Sequence, residues 1–414
     1  MMDKAILIGI DDGLKEIEYS LLELENLAKT LKIETIGKFW QKRPFPNPKT
    51  YLGKGKIAEV KNASEALDAD IVIFNDELTP SQIRTLEKYF NTQIVDRSFL
   101  ILSIFSERAE TKGAYLEVSL AQQKYLLPRL VGMRDSLSRQ GGGTYNAKGP
   151  GETKLELDRR TILRTIKSLE KDLKKWEKEN TLNRKKRTLK AIPIVSLVGY
   201  TNAGKSATLN SLLTVIESDK RVFEKDVLFA TLRTHTRKIK KKGYPAFILT
   251  DTIGFIDKLP HAFVNAFKAT LYEVSNSDLI LNIIDGSDPK NYLHQITTNQ
   301  VLKELAAENI PTLEIYTKLD LLKERPLDEN LWISNLEDTN LDALLHLIYE
   351  NLFGSSLLAT LEVPYQDQSI IALINDETRI IKTSYTNNSS LYEVIIFRKQ
   401  LESFKDYLIK TKFL

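Results

Sequence analysis

Ile192-Pro-Ile-Val-Ser-Leu-Val-Gly199-Tyr-Thr-Asn-Ala-Gly-Lys-Ser206, running on into Ala207-Thr-Leu-Asn-Ser-Leu-Leu213, decides the fold. The apolar run 192–198 reads as a buried strand, and 207–213 has the pattern of a helix. Between them the spacing G-x-x-x-x-G-K-S is complete, and it sits in the strand–loop–helix context that gives it meaning. Gly199 and Gly204 allow the backbone to curl, so that the N–H groups of Tyr200, Thr201, Asn202 and Ala203 turn towards an anion. The helix that follows presents its positive end to the same anion. Lys205 is placed to reach β- and γ-phosphates, and Ser206 to ligate Mg²⁺. The expected core is an α/β, P-loop nucleotide-binding domain over residues 191–355.

Three later segments choose the base and the switch, because they follow in the right order. Phe247-Ile-Leu-Thr-Asp251-Thr252-Ile253-Gly254 is a strand ending in D-x-x-G. Asp251 is expected to hold magnesium, and the Gly254 amide to sense the γ-phosphate. Leu313–Tyr316 is another strand, ending in Thr317-Lys318-Leu319-Asp320. A carboxylate at Asp320 accepts from the two neighbouring donors on guanine. Adenine lacks that pair and would leave the carboxylate unsatisfied. The Lys318 stem is expected across the base plane, with GTP and GDP as the bound nucleotides. Between the P-loop and Asp251 lies Phe229-Ala-Thr231-Leu-Arg-Thr234-His-Thr236-Arg237. This is the slot for a switch whose threonine completes the magnesium shell only when the γ-phosphate is present. On spacing alone Thr231, Thr234 and Thr236 all qualify. Phe255 stands after Gly254, where many GTPases carry a glutamine that orients water. Slow intrinsic hydrolysis is therefore expected, with an external activator and, more weakly, Arg233 or Arg237 assisting in cis.

Working outward, 414 residues suit several domains. The composition is 42% hydrophobic and 28% charged, ordinary for a folded chain. With no cysteine there is neither a disulfide scaffold nor a thiolate metal site. No run of about 18 apolar residues is present, which argues against a spanning helix and for a cytoplasmic protein. Residues 1–113 read as a small α/β unit, with strands at Ala5–Ile10, Ile33–Phe39, Ile71–Phe74 and Gln93–Val95 and helices at Leu14–Leu31, 56–67 and 80–90. Gly53-Lys-Gly-Lys56 in that unit is read as a turn, with phosphate contact as the other possibility. Residues 114–190 read as a helical hairpin, with a first helix over 114–135 kinked at Pro128. In the second helix, over 155–190, Ile162, Ile166, Leu169, Leu173 and Trp176 step like a heptad seam. Residues 154–190 hold 14 Lys/Arg against 6 Asp/Glu, a surplus beyond the whole chain's net +4. Such a basic helix suits a phosphate backbone. The connection Ser138–Glu152, rich in glycine, is read as a basic tip that orders on a partner. Residues 356–414 read as a small α+β domain with strands at Ala359–Val363, Ser369–Leu373, Thr378–Thr383 and Leu391–Phe397, then a helix at Leu401–Leu408.

With these motifs in view, the chain resembles the HflX-type GTPases. The resemblance rests on Leu126-Leu-Pro-Arg-Leu130, Leu137-Ser-Arg-Gln-Gly-Gly-Gly143, Gly149-Pro-Gly-Glu-Thr-Lys-Leu-Glu156 with Asp158-Arg-Arg160, Gly199–Ser206, Phe229-Ala230-Thr231-Leu232 and Asp251-Thr-Ile-Gly-Phe255. It runs from about residue 5 to 355 and is most specific over 120–255. It implies a P-loop GTPase domain preceded by a small α/β subdomain with a long helical hairpin and followed by a small C-terminal domain. It makes Thr231 the switch magnesium ligand, beside Ser206 and Asp251, and places Phe229–Arg233 at the nucleotide. It implies binding to the large ribosomal subunit, with the hairpin and its tip near ribosomal RNA, and the splitting of stalled or idle ribosomes under stress. GTP-controlled ribosome binding or assembly without splitting is the second expectation. A monomer is the default, peripheral to membranes only through ribosomes. The chain departs from the family at Thr317, where Asn is usual. Ser334-Asn335-Leu336 likewise stands for the usual Ser-Ala-x of the last guanine-contacting loop, and Arg233 holds a commonly acidic position.

Overall fold

The computed structural model describes residues 3–13, 16–130, 154–188, 192–216, 235–258, 274–324 and 326–413. The glycine-rich tip, Phe229–Arg233 and Thr234 lie outside the described residues. The chain divides into two compact units, one made chiefly of residues up to 182 and the other of the remainder.

The first unit is a parallel sheet with helices. Its strands β1 (Lys4–Asp11), β2 (Glu34–Lys42), β3 (Ile71–Phe74) and β4 (Gln93–Asp96) lie in the order β2-β1-β3-β4. Ala5 to Ile8 are fully buried, which is why the run carries no polar alternation. Helix α1 (Ile17–Thr30) turns Leu21, Leu24, Leu27 and Ala28 inward. Helix α2 (Lys54–Ala66) follows Gly53, whose N–H donates to Gln41 Oε1 at 2.8 Å. Lys56 is paired with Glu59 at 2.6 Å, in keeping with a turn that starts a helix. Helix α3 (Pro80–Phe90) starts on a capping box, Thr79 with Gln82, and Pro80 fixes its first turn.

Helix α4 (Arg97–Arg108) is absent from the sequence reading. Leu100, Ile101, Leu102, Ile104 and Phe105 are all buried, so the helix has no polar stripe to reveal its period. The first hairpin helix is corrected: α5 (Lys112–Leu126) stops before Pro128 instead of kinking there. Proline has no N–H to continue the ladder. Arg129 closes this end, donating to Tyr125 O at 2.7 Å and Leu78 O at 3.0 Å, with Asp96 Oδ2 at 3.3 Å. Helix α6 (Lys154–Thr188) carries the expected seam. Ile166 is buried, while Ile162, Leu169, Leu173 and Trp176 are half-buried and most of their neighbours exposed. Trp176 lies over Gly113 so closely that a Cβ there would sit 2.4 Å from its Cζ2. A small residue at the start of α5 is what lets the two helices meet.

In the second unit, β5 (Ile194–Val198), β6 (His235–Ile239), β7 (Phe247–Asp251), β8 (Leu279–Asp285), β9 (Thr312–Thr317) and β10 (Leu331–Trp332) form a sheet in the order β10-β9-β8-β5-β7-β6. Only β6 is antiparallel to its neighbour. Helices α7 (Lys205–Val215), α8 (Asn291–Glu304) and α9 (Leu341–Phe353) belong to it. Leu209, Leu212, Leu344, Ile348 and Leu281 meet in its core. The parallel strands send their C-terminal ends to one edge, where such sheets bind ligands.

The C-terminal part is a split β-α-β fold. Strands β11 (Ser356–Pro364), β12 (Arg379–Tyr385), β13 (Ser389–Phe397) and β14 (Leu408–Phe413) are antiparallel, ordered β12-β13-β11-β14. Two expectations are corrected here. Ser369–Leu373 is not a strand; it belongs to α10 (Gln368–Glu377). A short apolar run without alternation does not tell the two apart. Leu401–Leu408 lies mostly in a 3₁₀ segment, Arg398–Tyr407, after which β14 closes the sheet. This part is bound to the nucleotide-type sheet. Phe397 stacks on Tyr349 with centroids 5.6 Å apart, Gly243 N–H donates to Asp376 O at 3.1 Å, and Lys240 pairs with Asp376. Among the described residues no helix is long and apolar enough to cross a membrane.

Candidate functional site

Two glycines shape the loop between β5 and α7. Gly199 has φ +139° and Gly204 φ +93°, both left-handed conformations that side chains resist. At Gly199 space forbids a side chain as well, since a Cβ would fall 2.2 Å from Ile283 O. Asn202, at φ +63°, uses the polar residue's tolerance for the same region. The loop so formed folds around one amine. Lys205 Nζ donates to Tyr200 O at 2.7 Å and Gly199 O at 3.1 Å, and the residue is 7% exposed. Burial pulls its pKa down to about 8, with nearby Asp251 opposing the shift. Ala203 is buried beneath the loop, and Thr201 Oγ1 is buried with no hydrogen-bond partner among the described residues.

The D-x-x-G segment closes on this loop. Ser206 Oγ donates to Asp251 Oδ2 at 2.6 Å, and Asp251 has no solvent exposure. Thr252 is held from below, donating to Leu197 O at 2.6 Å. Ile253 is buried. Gly254 lies so close that a Cβ would be 2.8 Å from Thr201 Cα and 3.0 Å from Lys205 Nζ. Thr201 N–H donates to Phe255 O at 2.7 Å, and Phe255 N–H to Gly199 O at 3.1 Å. The Phe255 ring is buried at 1% exposure, in line with a residue that cannot orient water. Tyr200 reaches over this turn, its hydroxyl accepting from Asp257 N–H at 2.7 Å while its ring stacks on His294 at 3.8 Å.

The third motif joins at the end of β9. Thr317 Oγ1 lies 2.7 Å from Ala203 O and 3.1 Å from Ile284 O, so a hydroxyl here braces the loop. Lys318, at φ +61°, pairs with Asp285 at 2.6 Å. Asp320 Oδ1 accepts from Ser334 Oγ at 2.6 Å, and Ser334 Oγ accepts from Glu337 N–H at 3.1 Å. Leu319 N–H donates to Ile333 O at 3.2 Å, which ties this turn to the next loop. Asn335 Nδ2 donates to Thr208 Oγ1 at 3.1 Å, and Leu336 is exposed.

Apart from Thr236 and Arg237, the described residues that the sequence assigns to the nucleotide gather at one edge of the sheet. Among the switch candidates Thr236 is occupied elsewhere, in β6 with its hydroxyl 3.4 Å from Thr250 Oγ1. Arg237 is on the same strand and donates to Thr236 O at 3.1 Å. Sequence reasoning missed Asp285, Thr208 and His294. The first ends an apolar strand, Leu279–Asp285, at the ligand edge, a signal that could have been used. The other two left none.

Comparisons with known proteins place this geometry. Residues 18–106 match the family described as GTP-binding GTPase N-terminal, residues 108–187 the GTP-binding GTPase middle region, and residues 194–318 the 50S ribosome-binding GTPase family. The GTPase HflX of Caldanaerobacter subterraneus is 41% identical over 409 residues, covering 98% of this chain and 94% of that protein. The chain belongs to the HflX family of GTPases. The Escherichia coli GTPase HflX is 36% identical, over 88% of this chain and 86% of its own length. A Sulfolobus solfataricus GTP-binding protein solved with GDP is 23% identical, with a TM-score of 0.43 over 84% of this chain and 98% of that one. HflX membership makes the chain a P-loop GTP hydrolase that uses GTP and GDP.

Proposed function

We propose that the chain couples GTP hydrolysis at the Gly199–Ser206 loop to binding of the large ribosomal subunit, and that the GTP form dissociates stalled or idle ribosomes under stress. The observation that carries the nucleotide half is the convergence of Lys205, Ser206, Asp251, Gly254 and Thr317 on one loop. Support for the ribosomal half is the match to the 50S ribosome-binding GTPase family together with the basic helix α6. The setting is the cytoplasm, and the working form a monomer.

In this reading the N–H groups of Tyr200 to Ala203 and the N-terminus of α7 bind the phosphates. Lys205 exchanges its two carbonyl partners for phosphate oxygens. Ser206 and Asp251 set two hard oxygen donors side by side, a set that suits Mg²⁺, with Thr231 as the third ligand. A magnesium ion held by these residues would supply positive charge against that developing on the phosphates. The Gly254 N–H reports the γ-phosphate, and the Phe255 main chain must adjust with it, because it is bonded to Gly199 and Thr201. Asp320 reads the guanine edge, positioned by Ser334, and Asn335 and Leu336 complete the base loop. Phe255 supplies no group to align water, so turnover by the isolated chain is slow and the ribosome completes the site.

The Lys205 amine makes affinity depend on pH. In the nucleotide-free protein its pKa lies near 8, below the ordinary 10.5. Above pH 8 the folded chain has lost a proton that an unfolded chain keeps up to about pH 10.5, so this group's contribution to stability rises across that window. Nucleotide binding has the opposite sign, since the phosphates require the ammonium form. GTP affinity is expected to be flat below pH 8 and to fall by up to about tenfold per pH unit above it. Calorimetry at pH 8.5 in two buffers of different ionisation enthalpy should show proton uptake; none would refute the assignment.

The ribosomal reading is tested by gradient sedimentation of intact ribosomes with the full chain and a non-hydrolysable GTP analogue, with GDP as control. Free subunits with the analogue only, and the chain travelling with the large one, are expected. Co-migration with undivided ribosomes would leave GTP-controlled binding without splitting.

A further inference from the structure

Gly204, the last residue before Lys205, is flanked by two side chains from different loops. A Cβ placed on it would lie 3.4 Å from Asn335 Nδ2 and 3.6 Å from Thr317 Oγ1. Both are positions at which the sequence departs from the usual pattern, and the structure brings them to one atom's neighbourhood.

The hydrogen bonds around Gly204 form two routes from the base-reading loops to the phosphate loop. The first is direct: Thr317 Oγ1 faces Ala203 O at 2.7 Å and Ile284 O at 3.1 Å. A hydroxyl has one proton, so it serves these two carbonyls only by sharing. The second is a relay. Asn335 Nδ2 donates to Thr208 Oγ1 at 3.1 Å, and Thr208 Oγ1 donates to Gly204 O at 2.9 Å. The relay fixes which way the amide points. The Thr208 proton is committed to Gly204, so Thr208 can only accept from Asn335, and the nitrogen must face it. Asn335 Oδ1 is left buried with no hydrogen-bond partner among the described residues, so the donor side alone holds the amide. A further contact, Ser211 Oγ to Asn335 O at 3.3 Å, pins the main chain of the same residue to α7.

We propose that Asn335 is a positioning residue for nucleotide retention: its amide, through Thr208, clamps the base loop Ser334–Leu336 to the phosphate loop and makes good the half-bond that Thr317 lacks. The base and the phosphates are ends of one ligand, and a fixed distance between the loops that grip them lowers the ordering required on binding. The clamp acts on how long guanine nucleotide stays bound. It rests on the guanine-site reading given above.

The test follows release of GDP labelled with a fluorophore on its ribose from the full chain by stopped flow. Asn335→Ala is expected to speed release by about tenfold, the effect of one lost hydrogen bond in a dry site. Thr208→Val, which removes the middle link, should do the same, and the double variant should be no faster than either alone. The decisive variant is Asn335→Ala with Thr317→Asn. An asparagine at 317 brings two N–H donors to the two carbonyls that one hydroxyl shares, and should return release to within about threefold of the parent. A merely structural role for Asn335 would give no such rescue. Thermal melts by circular dichroism confirm that each variant is folded; if Asn335→Ala is not, Thr208→Val carries the comparison. Unchanged release in both single variants, or no slowing by Thr317→Asn, overturns the clamp. Asp320→Ala separates the two levels. Faster release in that variant with no effect at Asn335 sinks the clamp alone, whereas no effect of Asp320→Ala sinks the guanine-site reading beneath it.

Discussion

Replacing Lys205 by alanine is expected to cut GTP turnover by at least about a thousandfold, the scale seen when a group that stabilises transition-state charge is removed from a preorganised site. The argument is geometric. Lys205 is the buried cation at the centre of the loop, within bonding distance of Gly199 O and Tyr200 O, and a Cβ on Gly254 would be 3.0 Å from its nitrogen. It therefore stands where the phosphate loop and the D-x-x-G turn converge. Its removal frees two carbonyls that water can reach when the loop opens, so the fold should survive, and a melt within a few degrees of the parent would show that. Phosphate release at saturating GTP gives the rate, and the gradient experiment should lose its free subunits. Turnover within tenfold of the parent would refute the role, because among the described residues no other amine is held in this loop.

Asp320→Asn is expected to exchange guanine for xanthine. The carboxylate accepts from two adjacent donors on guanine, whereas an asparagine offers one acceptor and one donor, and the donor then opposes the guanine amine. Xanthine carries a carbonyl at that position and accepts from it. The support from Ser334 at 2.6 Å persists, since the asparagine oxygen still accepts from its hydroxyl. GTP affinity should fall by roughly a hundredfold or more, and kcat/KM for xanthosine triphosphate should exceed that for GTP. Retained preference for GTP would show that Thr317-Lys-Leu-Asp320 is not the base reader.

The phosphate loop was legible because its chemistry constrains single residues: a chain cannot adopt φ +139° at 199 or +93° at 204 without glycine being strongly favoured. The seam of α6 was legible because solvent on its other side leaves a period to read. Helix α4, buried along most of its length, left none. The same blindness covers Arg129, which the sequence marked only by resemblance. Its partners Leu78, Asp96 and Tyr125 arrive from three elements, and only the fold brings them together. Thr208 and Asn335 are separated by 127 positions and joined by one hydrogen bond, which no local pattern encodes. The C-terminal sheet was recognised in kind, yet one expected strand is a helix, because its four consecutive apolar residues, Ile370–Leu373, fit either period.

The joint between α9 and β11 has a consequence for how this protein can be inherited. Only Gly354 and Ser355 separate them, the first at φ +82°, and across this joint Phe397 lies against Tyr349 and Phe353 while Lys240 and Gly243 grip Asp376. A gene fusion that grafted the last sixty residues onto another GTPase would pull Phe397 out of its cluster with Tyr244, Tyr349 and Phe353 and leave an apolar scar on the donor. The tail is a buttress more than a cassette, because Phe397 belongs to the core of the sheet beside it.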